Sequence, residues 1–303
     1  MTLMEQLRSL PPLPFIGRGQ SSTYLLSLAE IARKNLSLAR VAEAHFDALS
    51  ILAEAGRAPV PGALYGVWAS EIPGQSVSLS DGKLFGRKRF CTGAGLLNRA
   101  LVTVTEPEPI LLDIDLESSP LKIDTSEWIT SAFADTSTGT VTFDGTLVSE
   151  HDQIGSANWY LTRPGFWAGA LSPAACWAGG ALGLVDWALK QKRDDPHTRS
   201  HLGAMTAAAW NLRSALAQAG EQVDTHPKDV AANHELALKL RHVIEQCCAD
   251  ILTRIGRAYG PHPLALDANA HRRYAEVELY IRQSHAERDL ESLGNLVYRS
   301  ANA

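Results

Sequence analysis

The sequence predicts an α+β multidomain chain: a short N-terminal helical segment, a central antiparallel β-barrel or sandwich domain, and a C-terminal four-helix bundle. Three observations predict it. Apolar residues recur at helical spacing near the N-terminus, give way to short β-prone runs with turn dipeptides, and return to helical spacing in four long stretches. The regions expected are a truncated N-terminal helical region at residues 1–58, a β-domain at 59–156 and a helical bundle at 157–303.

In residues 21–55 the apolar positions Leu25, Leu28, Ile31, Leu38, Val41, Leu49 and Leu52 keep one face of a helix, with Ser21 to Thr23 as caps and Gly56 as the stop. The step Asn35-Leu36-Ser37 splits this stretch into two helices. Ahead of it, Pro11, Pro12, Pro14, Gly17 and Gly19 exclude a regular element and leave a loose leader.

Short runs rich in β-branched and aromatic residues fill the next hundred positions: 64–69, 77–79, 83–85, 88–92, 100–105, 110–114 and 140–148. Asp81-Gly82 and Asp144-Gly145 are read as hairpin turns, because both central positions of such a turn take positive φ. Beyond residue 165 helices are expected over 172–192, 201–224, 229–259 and 269–293, broken at 194–196, 225–227 and 260–263. Long helices with short connections make an antiparallel bundle.

Composition narrows the function. With 303 residues, 45% hydrophobic and 20% charged, the chain has the make-up of a globular protein with a real core. A formal charge of −5 gives no basic footprint, so nucleic acid is not the expected partner. Arg87, Lys88 and Arg89 form a local cluster suited to a phosphate-bearing small molecule. No apolar run is read as long enough to span a bilayer and residues 1–18 lack a signal-like apolar stretch, so the expectation is no membrane and a cytoplasmic location. Cys91, Cys176, Cys247 and Cys248 are too irregularly placed for a disulfide framework and are read as reduced core residues. His197 and His201 stand at i,i+4 without the carboxylate of a metalloprotease arrangement, and no metal is expected.

Four motifs in order resemble those of the acyl-CoA dehydrogenase superfamily. Tyr65-Gly66-Val67-Trp68-Ala69-Ser70-Glu71 resembles its first β-domain signature, where a hydroxyl residue precedes Glu. Leu84-Phe85-Gly86-Arg87-Lys88-Arg89-Phe90-Cys91-Thr92-Gly93-Ala94-Gly95 is similar to the second, an aromatic, a variable residue and Thr after a Gly-x-Lys-x turn. Residues 128–155, with Ser137-Thr138-Gly139-Thr140-Val141-Thr142-Phe143, resemble the segment that closes the domain. Arg199-Ser200-His201-Leu202-Gly203 matches an Arg-x-x-aromatic-Gly element, with Leu in the aromatic slot. The resemblance covers residues 19–297.

It implies FAD, held by a homodimer or homotetramer. An isoalloxazine edge gains negative charge on hydride uptake and needs hydrogen-bond donors there. By carry-over, Trp68 and Phe90 wall the ring, Ser70 and Thr92 bond its edge, and Arg199 reaches the pyrophosphate of a flavin in the neighbouring subunit. The plainer alternatives are inward-facing strand aromatics, a threonine capping a turn and a solvated loop arginine.

Two departures stand against an ordinary family member. The front is shortened, and Arg282 stands where the family's Glu base is expected, followed by Gln283-Ser284 in place of Gly-Thr. A guanidinium cannot be a base at neutral pH. Nearby, His285 suits acid or base work, and flavin monooxygenases of the same fold use a histidine in this segment; its alternative is a histidine in a charged cluster with Glu287, Arg288 and Asp289. Tyr259-Gly260-Pro261 replaces a Gly-Gly pair, and Pro261 has no backbone N–H to offer. Three functions follow: an FAD-binding oxidoreductase acting on an acyl thioester such as an acyl-CoA or a similar small substrate, a flavin monooxygenase-like enzyme using His285, and a non-catalytic homologue that partners a longer subunit.

Overall fold

The computed structural model describes residues 1–72, 74, 76–117 and 120–302. The leader is not wholly irregular. It opens with α1 (Leu3–Arg8), where a capping box pairs Thr2 Oγ1 with the Glu5 N–H at 3.2 Å and Glu5 Oε2 with the Thr2 N–H at 2.8 Å. α2 (Ser21–Lys34) and α3 (Leu36–Glu54) part at Asn35, whose backbone is extended and whose Oδ1 accepts the Leu38 N–H at 3.1 Å to restart the helix.

Two compact units emerge, residues 1–12 with 40–166 and residues 13–39 with 167–303. Compactness thus groups α2 with the C-terminal helices and most of α3 with the strands, whereas the segments read from the sequence follow element type.

The first unit holds β1 (Tyr65–Trp68), β2 (Val77–Ser80), β3 (Lys83–Cys91), β4 (Arg99–Val104), β5 (Ile110–Asp115), β6 (Leu121–Asp124), β7 (Gly139–Leu147) and β8 (Gln153–Ile154). They form two four-stranded sheets, β1-β4-β5-β8 and β2-β3-β7-β6, antiparallel throughout except where β1 pairs with β4 in parallel. Side chains alternate between faces. Ala100, Val102 and Val104 of β4 and Ile110, Leu112 and Ile114 of β5 join Trp68, Leu84, Val141 and Phe143 in one core, while Leu101 and Leu111 turn onto Ala48, Ile51 and Leu52 of α3. Each fully buried Leu, Ile or Phe there contributes about 2 kcal/mol. The short strands β6 and β8 carry too little pattern for the sequence to flag.

Asp81 and Gly82, at φ 49° and 71°, make the expected two-residue hairpin between β2 and β3. Asp144-Gly145 does not. It lies inside β7, where the register passes from Leu84 opposite Thr146 to Phe85 opposite Asp144 and leaves Gly145, at φ 82°, as the extra residue of a bulge. After the strands come α4 (Trp159–Thr162) and α5 (Gly165–Gly169). Between them the buried Arg163 bonds Glu54 at 2.6 Å, and the other oxygen of that carboxylate takes the Gly165 N–H at 2.8 Å.

The second unit adds α6 (Ser172–Leu189), α7 (Pro196–Thr225), α8 (Val230–Tyr259), α9 (His262–Ala265), α10 (Ala268–Tyr280) and α11 (Glu287–Ala301) to α2. α6 is central, packed against α2, α7, α8 and α10, and it is apolar almost all round, as a core helix must be. The stretch Phe166–Leu189 is long and apolar enough to cross a membrane, contrary to the sequence reading, yet 89% of that window is buried in the fold. Gly179 lets α2 and α6 meet: a Cβ there would lie 2.1 Å from the Ala29 carbonyl oxygen.

α7 begins at Pro196, five residues before the expected 201, because Asp195 caps it by accepting the His197 and Thr198 N–H groups and a proline is tolerated in the first turn. The helix expected over 269–293 is in fact two. α10 tightens into a 3-10 turn at Ile281–Gln283, Ser284 is extended, and Ala286 takes φ 47° and ψ −114° before α11 starts. Three of the cysteines, Cys91, Cys176 and Cys248, are buried core residues as expected.

Candidate functional site

In the strand unit the site is built by a second bulge. β3 pairs Lys88 with Val141 and then Cys91 with Gly139, so Arg89 and Phe90 together oppose one residue of β7. Phe90 sits at φ 58°, a conformation that costs a non-glycine residue about 1–2 kcal/mol, and the residue is 56% exposed. The bulge also divides the basic cluster read from the sequence. Arg87 is exposed, but Lys88 is 1% exposed, with its ammonium bonded to Glu71 and, at 2.9 and 2.7 Å, to the carbonyl and hydroxyl oxygens of Thr103. Three acceptors satisfy its three N–H groups. Burial pulls its pKa below the usual lysine value against the opposing pull of Glu71.

Phe90 and Arg89 line an open cleft of about 410 Å³ with Glu127, Trp128, Thr138 and Thr140. Arg89 donates to Glu127 at 3.1 Å, and Thr140 donates to the other carboxylate oxygen at 3.0 Å. The Arg89 Nε is buried without a hydrogen-bond partner. Behind the cleft runs a ladder of hydroxyls: Thr138 donates to Thr92 at 3.4 Å and lies 2.8 Å from Thr136, which donates to the Phe133 carbonyl at 2.8 Å. Phe133 and Ser137, at φ 58° and 48°, are also in the left-handed region. Three strained non-glycine residues around one set of hydroxyls mark a place where geometry is held against local preference, the pattern of functional sites.

The residues singled out from the sequence part company here. Phe90 reaches the cleft, and Thr92 stands half-buried behind Thr138. Trp68 is 2% exposed in the inter-sheet core, and its indole N–H donates to the Thr92 carbonyl at 3.1 Å, so it braces the Thr92 turn from within. Ser70 is exposed beyond the end of β1 and is not among the cleft residues. Sequence reasoning passed over Glu127; Trp128, Thr138 and Thr140 were inside a recognised motif but had no role attached. Cys91, beside Phe90, faces the core, and burial pushes its thiol up to about 12, so it is no nucleophile.

In the helical unit Arg199 is exposed in the first turn of α7 and bonds Asp194 at 2.6 Å. Arg282 lies in the 3-10 turn, beside Glu278 at 3.4 Å and Glu245 at 3.9 Å. His285 falls in the break itself. Its Nδ1 lies 3.2 Å from Asp289 Oδ1 and its backbone N–H donates to Asp289 Oδ2 at 3.2 Å. Arg241 of α8 secures this corner by donating to the Gln283 carbonyl at 2.6 Å and the Ala170 carbonyl at 3.3 Å, with its guanidinium 4.8 Å from the Trp177 ring centre and its Nε 3.8 Å from Asp289. His234 stacks on Trp167 at 3.8 Å, and burial lowers its pKa. Among the described residues no group of histidine, cysteine or carboxylate side chains is arranged to hold a metal.

The sequence matches no family model, and no curated protein resembles it in sequence. Solved structures do resemble it in fold. The dibenzothiophene monooxygenase TdsC from Paenibacillus sp. A11-2, solved with FMN and indole, superposes with a TM-score of 0.78 over 92% of this chain and 84% of its own, at 16% identity. The methanesulfinate monooxygenase MsuC from Pseudomonas fluorescens gives 0.78 over 92% and 83%, at 17% identity. Butyryl-CoA dehydrogenase from Megasphaera elsdenii gives 0.77 over 93% and 83%, at 13% identity. The chain therefore has the acyl-CoA dehydrogenase fold, a fold shared by dehydrogenases and monooxygenases.

Proposed function

We propose that this chain is a flavin-dependent oxidoreductase of the monooxygenase kind, acting with reduced flavin and oxygen on a small molecule. The observation that carries the choice is the segment 281–289, which offers Arg282 and a His285–Asp289 pair in place of a carboxylate base. Removal of an α-proton from a thioester needs a base, and an arginine tied to Glu278 cannot serve as one. A histidine can both give and take a proton near neutrality, as oxygen chemistry on a small substrate requires.

The strand unit fits a flavin. Phe90 and Trp128 present aromatic surface for a flat ring, and Arg89, Thr138 and Thr140 give the cleft a polar side next to them. When bound, the flavin supplies the two-electron chemistry. Residues of the strand unit hold and orient it, and in the helical unit His285 is the group suited to carry a proton. FAD is what the family resemblance implies, and FMN is what TdsC was solved with. Pro261, without an N–H to offer the adenine side of a dinucleotide, favours the smaller FMN.

The test is direct. Purified protein is titrated with FMN and with FAD by fluorescence quenching, then supplied with reduced FMN while oxygen uptake is followed across a panel of small heteroaromatic and sulfur compounds. Tighter FMN binding and substrate-dependent oxygen consumption, lost in His285→Ala with binding intact, are expected. Failure to bind either flavin, above all with a longer homologue co-purifying, would establish the non-catalytic partner instead; oxidation of an acyl-CoA by an artificial acceptor without oxygen would establish the dehydrogenase.

A further inference from the structure

In an unbroken helix His285 and Asp289 would be ordinary i,i+4 neighbours on one face. Here the helix is broken between them, and the pair survives by a different geometry. Asp289 is the third residue of α11, and it reaches back across the start of that helix with both oxygens on a single residue: Oδ2 takes the backbone N–H of His285 and Oδ1 lies against its ring Nδ1, each at 3.2 Å. One carboxylate thus fixes where the histidine backbone lies and which way its ring points.

Two further features show that this corner is held. Ala286, between the two residues, occupies φ 47° and ψ −114°, a region that costs a residue with a Cβ about 1–3 kcal/mol and persists only where its surroundings impose it. Arg241 fastens the other side of the break through the Gln283 carbonyl and places a positive charge 3.8 Å from Asp289. Asp289 is 15% exposed while His285 is 56% exposed, so the carboxylate is the anchored partner and the imidazole the presented one.

We propose that Asp289 is the positioning residue for His285: it holds the proton on Nδ1 and thereby presents Nε2 as the nitrogen that takes up or returns a proton. The reasoning is the hydrogen-bond inventory. An ionised carboxylate only accepts, so the nitrogen facing it must carry hydrogen, and in the neutral ring the other nitrogen then bears the lone pair. Free imidazole side chains carry no such constraint. The role of Asp289 in the reaction rests on the flavin reading, whereas its hold on the ring does not.

Nitrogen-15 NMR of the histidine ring in the flavin-free protein, above neutral pH, tests the hold. His285, assigned by its loss in His285→Gln, is expected to show mainly the Nδ1–H form in the wild type and to lose that bias in Asp289→Ala. A wild-type ring protonated mainly on Nε2 overturns the proposal with no variant needed, and an Nδ1–H form that persists in Asp289→Ala overturns it as well, leaving Asp289 a mere helix cap. In FMN-loaded protein, turnover is expected to fall on the order of tenfold in Asp289→Ala with the FMN dissociation constant unchanged, because general acid–base catalysis depends on a correctly placed proton. Unchanged turnover overturns the role in the reaction. No turnover in the wild type would instead count against the flavin reading, and the ring measurement would still decide the tautomer.

Discussion

The strand unit and the helical unit position their key residues by opposite means. In the strands, facing is a matter of parity: Lys88 points inward by alternation, and one inserted residue sends Phe90 out while Cys91 returns to the core. In the helices, facing is a matter of phase, and a single break resets it, taking His285 out of the helix and placing it at a corner under Asp289 and Arg241. Trp68 and Phe90 show what this means for motif reading. Both are aromatic residues of matched signatures, yet one is 2% exposed and the other 56%.

Several substitutions would break or sharpen that comparison. The largest effect is expected where helices touch. Gly179→Ala should cost about 3 kcal/mol or more, read by denaturant unfolding, since its Cβ would press on the Ala29 backbone, which cannot rotate aside. A loss under 1 kcal/mol would show that α2 and α6 slide freely. Close behind, Lys88→Ala should cost about 3 kcal/mol by stranding the Thr103 carbonyl and emptying a filled position, and Glu71→Gln, which leaves the buried ammonium without its counter-ion, should cost about as much. Losses under about 1 kcal/mol from both would contradict an inward lysine.

His45 gives the pH dependence of the strand unit. Its Nδ1 accepts the Tyr65 N–H at 3.2 Å, and burial, with the Arg8 charge second, lowers its pKa from 6.5 to about 4. Between those values the unfolded chain holds a proton that the folded chain does not, so stability is full above pH 6.5 and falls as pH drops toward 4, by about 2 kcal/mol after allowance for partial exposure. Unfolding curves at pH 7 and pH 4.5 should therefore differ more for the wild type than for His45→Gln; parallel shifts would exclude His45 as the source. Phe90→Gly should leave stability within about 1 kcal/mol, since relief at φ 58° offsets the little burial lost, yet weaken FMN binding about fivefold as a stacking surface disappears. Unchanged affinity would remove Phe90 from the site. The smallest effect is a gain: Gly203→Ala, with nothing within 4 Å of the new Cβ and a helix around it, should add about 0.5–1 kcal/mol, and any loss would mean that this face of α7 is covered.

Much of the fold was legible because it rests on local rules. The Asp81-Gly82 hairpin, the split at Asn35 and the run of long helices follow from turn chemistry and period. The misreadings share a cause. Asp144-Gly145 has a hairpin's composition, but whether such a pair turns the chain or bulges one strand depends on the partner strand, here β3. Residues 281–286 contain neither proline nor glycine, so nothing local announces a break that Arg241 and Asp289 hold from outside. At the cleft, Phe90 stands in a matched motif, while Glu127 had no pattern to betray it.

By itself, then, the sequence determined the order of helices, strands and helices, the Asp81-Gly82 turn, and the lack of any carboxylate among residues 279–285, because composition and period act over a few residues. Only the tertiary structure decided that Phe90 is presented and Trp68 concealed, that Lys88 is a core residue, and that His285 stands in a break held by Asp289. Each of those depends on a bulge, a register or a clamp set by residues far away in the chain, and such contacts leave no periodic trace in sequence.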